Sequence, residues 1–292
     1  MRGKPGKHLR FTLTAVWAAW FALADPAGGA DLQGKTLAAF DQYVQVAEKQ
    51  IDAQLERPDA YLWVESLPGE KREAAMAHLR SGQVVIERLD SLEPTIAANA
   101  GKPISVPGGL IHHWIGTVFI PGATLGETLA LLEDYDHQRD YFHPDVMRST
   151  ILRRDGGDFT ILLRLYKKKV ITTVLDTEHQ VHYELVDRTH AWSRSRTTRI
   201  QEVENAGEPT ERLEPVGHDR GFLWRMNTYW RFEQKDGGTY VECQSISLTR
   251  DIPEGLGWMI GSYVTSVPRE SLTFTLLATR GVLLRRIASG AS

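Results

Sequence analysis

Cysteine is nearly absent: Cys243 stands alone among 292 residues, so no disulfide can form within the chain and its stability must come from a packed core. There is no excess of positive charge, since 34 Lys and Arg against 37 Asp and Glu give a formal net charge of -3. A nucleic-acid backbone would therefore find no general electrostatic hold, and no nucleic-acid partner is expected. Beyond the N-terminus no stretch approaches the roughly 18 apolar residues that a membrane-spanning helix needs. The sequence also lacks a zinc-protease pattern, a phosphate-binding glycine loop, a nucleophile elbow and any internal repeat. What remains is ordinary globular composition, 42% hydrophobic and 24% charged, which excludes a disordered or collagen-like chain. Cys243 lies in an alternating apolar stretch and reads as a small buried hydrophobe.

The first thirty residues follow their own logic. Arg2, Lys4, Lys7 and Arg10 precede the uncharged run Phe11 to Ala24. Small residues then occupy the positions a signal peptidase reads, for cleavage after Ala24 or, as the alternative, after Ala30. The expectation is export, to the periplasm or the medium, with residues 1–24 removed. That cleavage takes away all four cations and leaves a more acidic mature chain.

Apolar residues at steps of three and four, Leu37, Phe40, Val44, Ala47, Ile51 and Leu55, predict an amphipathic helix that Pro58 ends. A second helical stretch, Glu70 to Leu79, precedes the strand-like QVVIERL, and a Pro- and Gly-rich connection runs to Gly109. From Leu110 the pattern changes. The β-branched run LIHHWIGTVFIP predicts a strand, and Leu125, Thr128, Leu129, Leu132 and Tyr135 share one helical face. Five further strands are predicted in FTILLRLY, VITTVLDTEHQVHYELV, HAWSRSRTTRIQEV, GFLWRMNTYWRFEQ and TYVECQSISLTR, which implies an antiparallel sheet. A last helix is expected over about Pro268 to Ile287, with Ser266 as its cap and a length of roughly 30 Å.

One strand is written plainly. Phe222, Trp224, Met226, Thr228, Trp230 and Phe232 alternate onto a single face, an apolar wall. In the last helix Leu276, Arg280 and Leu283 fall on the apolar seam, so Arg280 must meet a carboxylate, reach water along its stem, or await an acidic group of a ligand. In HAWSRSRTTRIQEV, Trp192, Arg194 and Arg196 share a face that either is solvated or grips an acidic headgroup, with Lys167 to Lys169 nearby in sequence. The segment from Glu204 to Gly221 is either a surface insertion or a loop over a binding site. Adjacent strand residues such as His112 and His113 point to opposite faces, and His137 and His143 lie on different helix faces, so no metal and no cofactor are expected.

Strand, helix pair, antiparallel strands and one long closing helix is an order that resembles the START lipid-transfer superfamily, which also includes polyketide cyclases and pollen-allergen-like proteins. The resemblance rests on RDIPEGLGWMIGSYVTSVPRESLTFTLLATRG, with Pro253, Gly257, Trp258, Pro268, Glu270 and Leu272, and on FIPGATLGETLALLEDYDHQRDYFHPDVMRSTIL. It implies an α+β helix-grip fold over residues 110–292, a curved antiparallel sheet wrapped around the C-terminal helix. Residues 25–109 form an N-terminal helical extension with an added edge strand, packed on the domain as an accessory cap. It further implies a hydrophobic small molecule, a lipid, isoprenoid or polyketide-like compound, held between sheet and helix by Phe222, Trp224, Met226, Trp230, Phe232, Leu276, Arg280 and Leu283. Transient membrane contact would accompany transfer. The alternative is a cyclase or dehydratase using His113, Arg164 and Tyr183.

Overall fold

In the computed structural model the described residues are 30–89, 104, 106–168, 172–251 and 257–290, the last of these with side chains from 266 onward. The expected leader, except Ala30, lies outside them. In chain order the elements are β1 (Ala30–Asp31), α1 (Gly34–Leu55), a 3-10 turn (Trp63–Ser66), α2 (Gly69–Arg80), β2 (Val85–Arg88), β3 (Gly109–Pro121), α3 (Leu125–Glu133), a second 3-10 turn (Tyr135–His137) and α4 (Gln138–Tyr141). There follow β4 (Val146–Asp155), β5 (Asp158–Lys168), β6 (Thr172–Leu185), β7 (His190–Glu204), β8 (Arg212–Leu213), β9 (His218–Asp219), β10 (Arg225–Lys235), β11 (Gly238–Arg250) and α5 (Gly257–Ser289). One antiparallel sheet runs β2-β3-β11-β10-β7-β6-β5-β4, with β8 added beside β7.

The long helix α5 lies across one face of this sheet. A Cβ placed on Gly116 would come 2.8 Å from Leu276 Cδ1, and one on Gly122 would come 3.7 Å from Ile287, so the helix follows β3 along its length. Gly116 is what permits the close approach. Val118, Ile120, Phe232 and Val241 pack there against Leu272, Leu276 and Leu283, with Leu125, Leu131 and Leu132 of α3 closing the side. This is the helix-grip arrangement, an α+β fold.

The opposite face is covered too, by the N-terminal helices. Phe40, Tyr43, Val44, Ala47 and Ile51 of α1 lie on Tyr229, Ile246 and Leu248, while Leu62, Val64, Ala75 and Leu79 lie on Phe119 and Tyr240. The amphipathic period read from Leu37 to Leu55 is thus a stripe laid on the back of the sheet. Beneath this layer the Arg231 guanidinium meets the Glu242 carboxylate at 2.8 Å, both almost fully buried. Because β10, β11 and β3 are roofed on both sides, β11 is buried at nearly every position and shows little alternation.

Three expectations are corrected. The last helix begins at Gly257, not near Pro268, and carries that proline inside it, giving about 50 Å of helix. A proline costs a helix one donor where it sits, and tertiary context overrode the boundary rule. The strand β4 was not anticipated, because bulges between Val146 and Arg148 and between Ile151 and Arg153 break the period of two on which strand reading depends. Finally, β10 begins only at Arg225, so Trp224 lies outside the ladder and does not share the face of Met226 and Trp230.

Phe40 is 2% exposed and fixes the α1 stripe to the sheet. Replacing it (Phe40→Ala) is expected to cost about 3–5 kcal/mol in equilibrium urea unfolding. A loss near zero would show that α1 contributes nothing to the folded domain.

Candidate functional site

Residues directly opposite in an antiparallel pair share a face, so the face toward α5 can be followed outward from Gly116. The first row reads Gly116, Cys243, Trp230, Ser193, Tyr183. Two residues further along the strands the row is Trp114, Ser245, Thr228, Ser195, Val181, Phe159, and after that His112, Ser247, Met226, with Thr197, His179 and Ile161 beside it.

This inner face has two unlike halves. Toward the β10–β11 hairpin, Val118, Ile120, Phe232, Val241, Leu276 and Leu283 are at most 1% exposed, a close-packed core. In the other direction the small side chains Ser193, Ser195, Thr197, Thr228, Ser245 and Ser247 replace aliphatic ones. There Trp114, Met226, Thr228, Trp230, Leu163, Leu165 and Tyr183 are only half-buried, although they sit well inside the sheet. β7 and β11 both end on this side, at Glu204 and Arg250.

Polar groups in this half are ordered. His179 is buried, with Nε2 2.9 Å from Thr177 Oγ1 and Nδ1 3.3 Å from Ser195 Oγ. Burial without a carboxylate partner lowers its pKa to about 4, so the ring is neutral at pH 7. The hydroxyls of Tyr135 and Tyr183 lie 2.9 Å apart, and burial pushes both well above the usual phenol range. Desolvation likewise raises the Cys243 thiol, which keeps it protonated and unreactive.

The residues singled out in the sequence are divided by these faces. Met226 and Trp230 lie in the hydroxyl-rich half. Phe232, Leu276 and Leu283 belong to the close-packed half and serve as core. Phe222 sits half-buried in the loop before β10, its ring 5.5 Å from the Arg220 guanidinium. Trp224 turns to the outer face among Phe40 and Val44 and donates its indole N–H to Asp219 at 3.0 Å. Arg280 is half-buried: its Nε donates to the Phe119 carbonyl at 3.1 Å, and its guanidinium passes over Gly82, where a Cβ would come within 2.7 Å.

Of the three alternative catalytic residues only Tyr183 faces inward. His113 packs on the outer face between the Tyr43 hydroxyl and the Gln244 amide, and burial lowers its pKa to about 3. Arg164 alternates outward from Leu163 and is held by both oxygens of Asp176, at 2.7 and 2.8 Å, and by Glu211 at 2.9 Å. Arg194 and Arg196 lie on the outer face, Arg196 remaining largely exposed to solvent. They pair with Asp52 and Glu48 of α1, the second at 2.5 Å, and so clamp that helix to the sheet. The Glu204 to Gly221 segment is fastened by β8, by β9 against β1, and by Arg220 on the buried Glu202 at 3.0 Å. Lys167 pairs with Asp145, and Lys169 lies outside the described residues.

Sequence reading missed His179, Ser195 and Trp114. A signal was present in β7, whose second face is Ser193, Ser195 and Thr197: a strand in the middle of a sheet with neither face apolar has a job other than core. Among the described residues no group of His, Cys, Asp and Glu could hold a metal, and no helix is long and apolar enough to cross a membrane.

No family model matches the chain, and no curated protein matches it by sequence. Its fold is similar to that of START-like structures. The crystal structure of the Zhui aromatase/cyclase from Streptomyces sp. R1128 is 16% identical, covering 63% of this chain and all of that one at a TM-score of 0.42. A STAR-related lipid transfer protein from Xanthomonas axonopodis is 18% identical, covering 61% of this chain and 95% of that one, also at 0.42. A START superfamily protein from Mycobacterium smegmatis is 11% identical over 59% of this chain and 97% of that one, at 0.39.

The two buried histidine rings, His179 on the inner face and His113 on the outer, make a pH dependence. Unfolded, each takes a proton near pH 6.5, whereas folded it stays neutral down to about pH 4 for His179 and about pH 3 for His113. The unfolded chain therefore gains protons first on acidification. Stability should fall as pH drops below about 6.5, His113 alone costing about 3 kcal/mol by pH 4. Urea unfolding at a series of pH values should show a shallower decline for His113→Gln and for His179→Gln. Identical slopes in wild type and both variants would contradict buried neutral rings.

Proposed function

We propose that the chain binds a hydrophobic small molecule between the hydroxyl-rich half of the inner face and α5, as a carrier rather than an enzyme. One observation carries the reading: Trp114, Met226 and Trp230 point inward from the middle of the sheet yet remain partly exposed. Protein interiors are packed like organic crystals, so large side chains so placed border space that the chain does not fill. A mostly apolar space with a few ordered polar groups suits a ligand of lipid, isoprenoid or polyketide type, each buried methylene contributing about 0.8 kcal/mol before ordering costs. Entry would pass the end of the sheet where β7 and β11 finish, at Glu204 and Arg250, and transfer would involve transient contact with a membrane.

Export belongs to the same proposal. Ala30 and Asp31 pair with Asp219 and His218, so cleavage after Ala24 leaves this small sheet whole whereas cleavage after Ala30 would divide β1. Intact-mass measurement of protein recovered from the host envelope or medium should find Asp25 at the N-terminus. Full-length chain found only in the cytosol would refute export.

Ser245 lies between Trp114 and Thr228 on the inner face and is half-buried. In titrations with the neutral fluorophore N-phenyl-1-naphthylamine, wild type should bind with a blue-shifted emission. Ser245→Phe should weaken binding about tenfold or more while leaving the melting temperature nearly unchanged, since the new ring occupies unfilled space. A close-packed inner face would bind no probe and would lose about 1–3 kcal/mol of stability to the same substitution.

A further inference from the structure

We propose that this inner face selects a ligand carrying a neutral hydroxyl, read by Ser195 and Thr228 together. The inference rests on the binding reading above and names the chemistry of what is bound. It follows from counting protons along one hydrogen-bonded chain.

Thr177 has a single hydroxyl proton and donates it to the Leu163 carbonyl at 3.1 Å. Its oxygen is then the acceptor for His179 Nε2, 2.9 Å away, which places the ring proton on Nε2. A neutral imidazole so oriented has a lone pair on Nδ1, and the neighbour there, at 3.3 Å, is Ser195 Oγ. Ser195 must donate to it. The serine oxygen is left with acceptor capacity and no proton to give.

Thr228 stands directly across from Ser195 on the adjoining strand. Its Oγ1 accepts from the Trp230 indole N–H at 3.3 Å, so its own proton remains available. Opposed residues of this kind have Cβ atoms about 4.5–5.5 Å apart. One ligand oxygen can therefore lie at about 2.8 Å from both, donating to Ser195 and accepting from Thr228. An alcohol or phenol satisfies both. A ketone satisfies only Thr228, and a carboxylate brings lone pairs to Ser195 where the surrounding inner-face side chains, Val181, Thr197, Met226 and Ser245, carry no positive charge.

Three probes of one shape separate the cases: 2-naphthol, 2-methylnaphthalene and naphthalene-2-carboxylate, titrated calorimetrically into the full chain at pH 7. The naphthol should bind about tenfold more tightly than the methyl compound, the scale of one net hydrogen bond, and the carboxylate most weakly. Ser195→Ala and Thr228→Val should each remove the preference for naphthol while the methyl compound binds as before. Equal affinity of wild type for naphthol and methylnaphthalene would overturn the selectivity and leave the binding space standing. A preference that survives both substitutions would overturn its assignment to these residues. If none of the three probes binds, both this inference and the binding reading fall.

Discussion

The ion pair between Arg231 and Glu242 is the constraint around which the domain is built. Glu242 is sealed beneath the N-terminal layer and accepts from Arg231 at 2.8 Å, from the Thr117 hydroxyl at 2.8 Å and from the Trp63 backbone N–H at 2.9 and 3.0 Å. Those donors come from β10, from β3 and from the turn ahead of α2. A buried carboxylate is tolerable only when its lone pairs are satisfied, and removing one partner typically costs about 3–5 kcal/mol. Register across the central strands and the seating of the N-terminal segment are therefore set together. The surrounding pairs, Arg196 with Glu48 and Arg194 with Asp52, extend the same coupling along α1.

A back face held this way leaves the front face free to be loose. The outer layer supplies apolar contact and charge pairing to β3, β11 and β10, and on the inner face β11 turns from Val241 to Ser245 and Ser247 and β10 from Phe232 to Thr228. Close packing between Gly116 and Leu276 anchors α5 at one end. Past that anchor, hydroxyl side chains take the place of core residues. A domain without disulfides could hardly maintain such a half-open interior on one packed face alone, because the apolar area forgone there must be recovered elsewhere. The N-terminal extension, which on sequence grounds looks like an accessory, is what recovers it.

Polar order inside the loose half follows from the same geometry. Two strands bring Thr177, His179 and Ser195 together, and a buried neutral ring passes hydrogen-bond direction from the Leu163 carbonyl of a third strand to Ser195. Nothing in this hydrogen-bonded chain is charged, so under the proposed binding it would orient a ligand rather than move a proton. That accords with binding as the role of the site, and with Tyr183 as the sole inward member of the trio on which an enzymatic reading rested.

Much was legible in the residues alone. The α1 stripe, the strand at LIHHWIGTVFIP, five later strands and a closing helix all follow from periodicity, because a period of 3.6 or 2 is imposed locally by backbone geometry. So does the alternation that sets Met226 and Trp230 apart from Tyr229 and Arg231. Where bulges break the period, at β4, or where a residue lies one step beyond the ladder, as Trp224 does, local pattern carries no information about face. Which arginines pair with which acids, why Arg280 meets a carbonyl, and that the Ser193, Ser195 and Thr197 face points inward were decided only in the tertiary structure. Each depends on partners far away in the chain, Arg196 and Glu48 being 148 residues apart, and no local rule specifies which distant strand or helix will cover a given face.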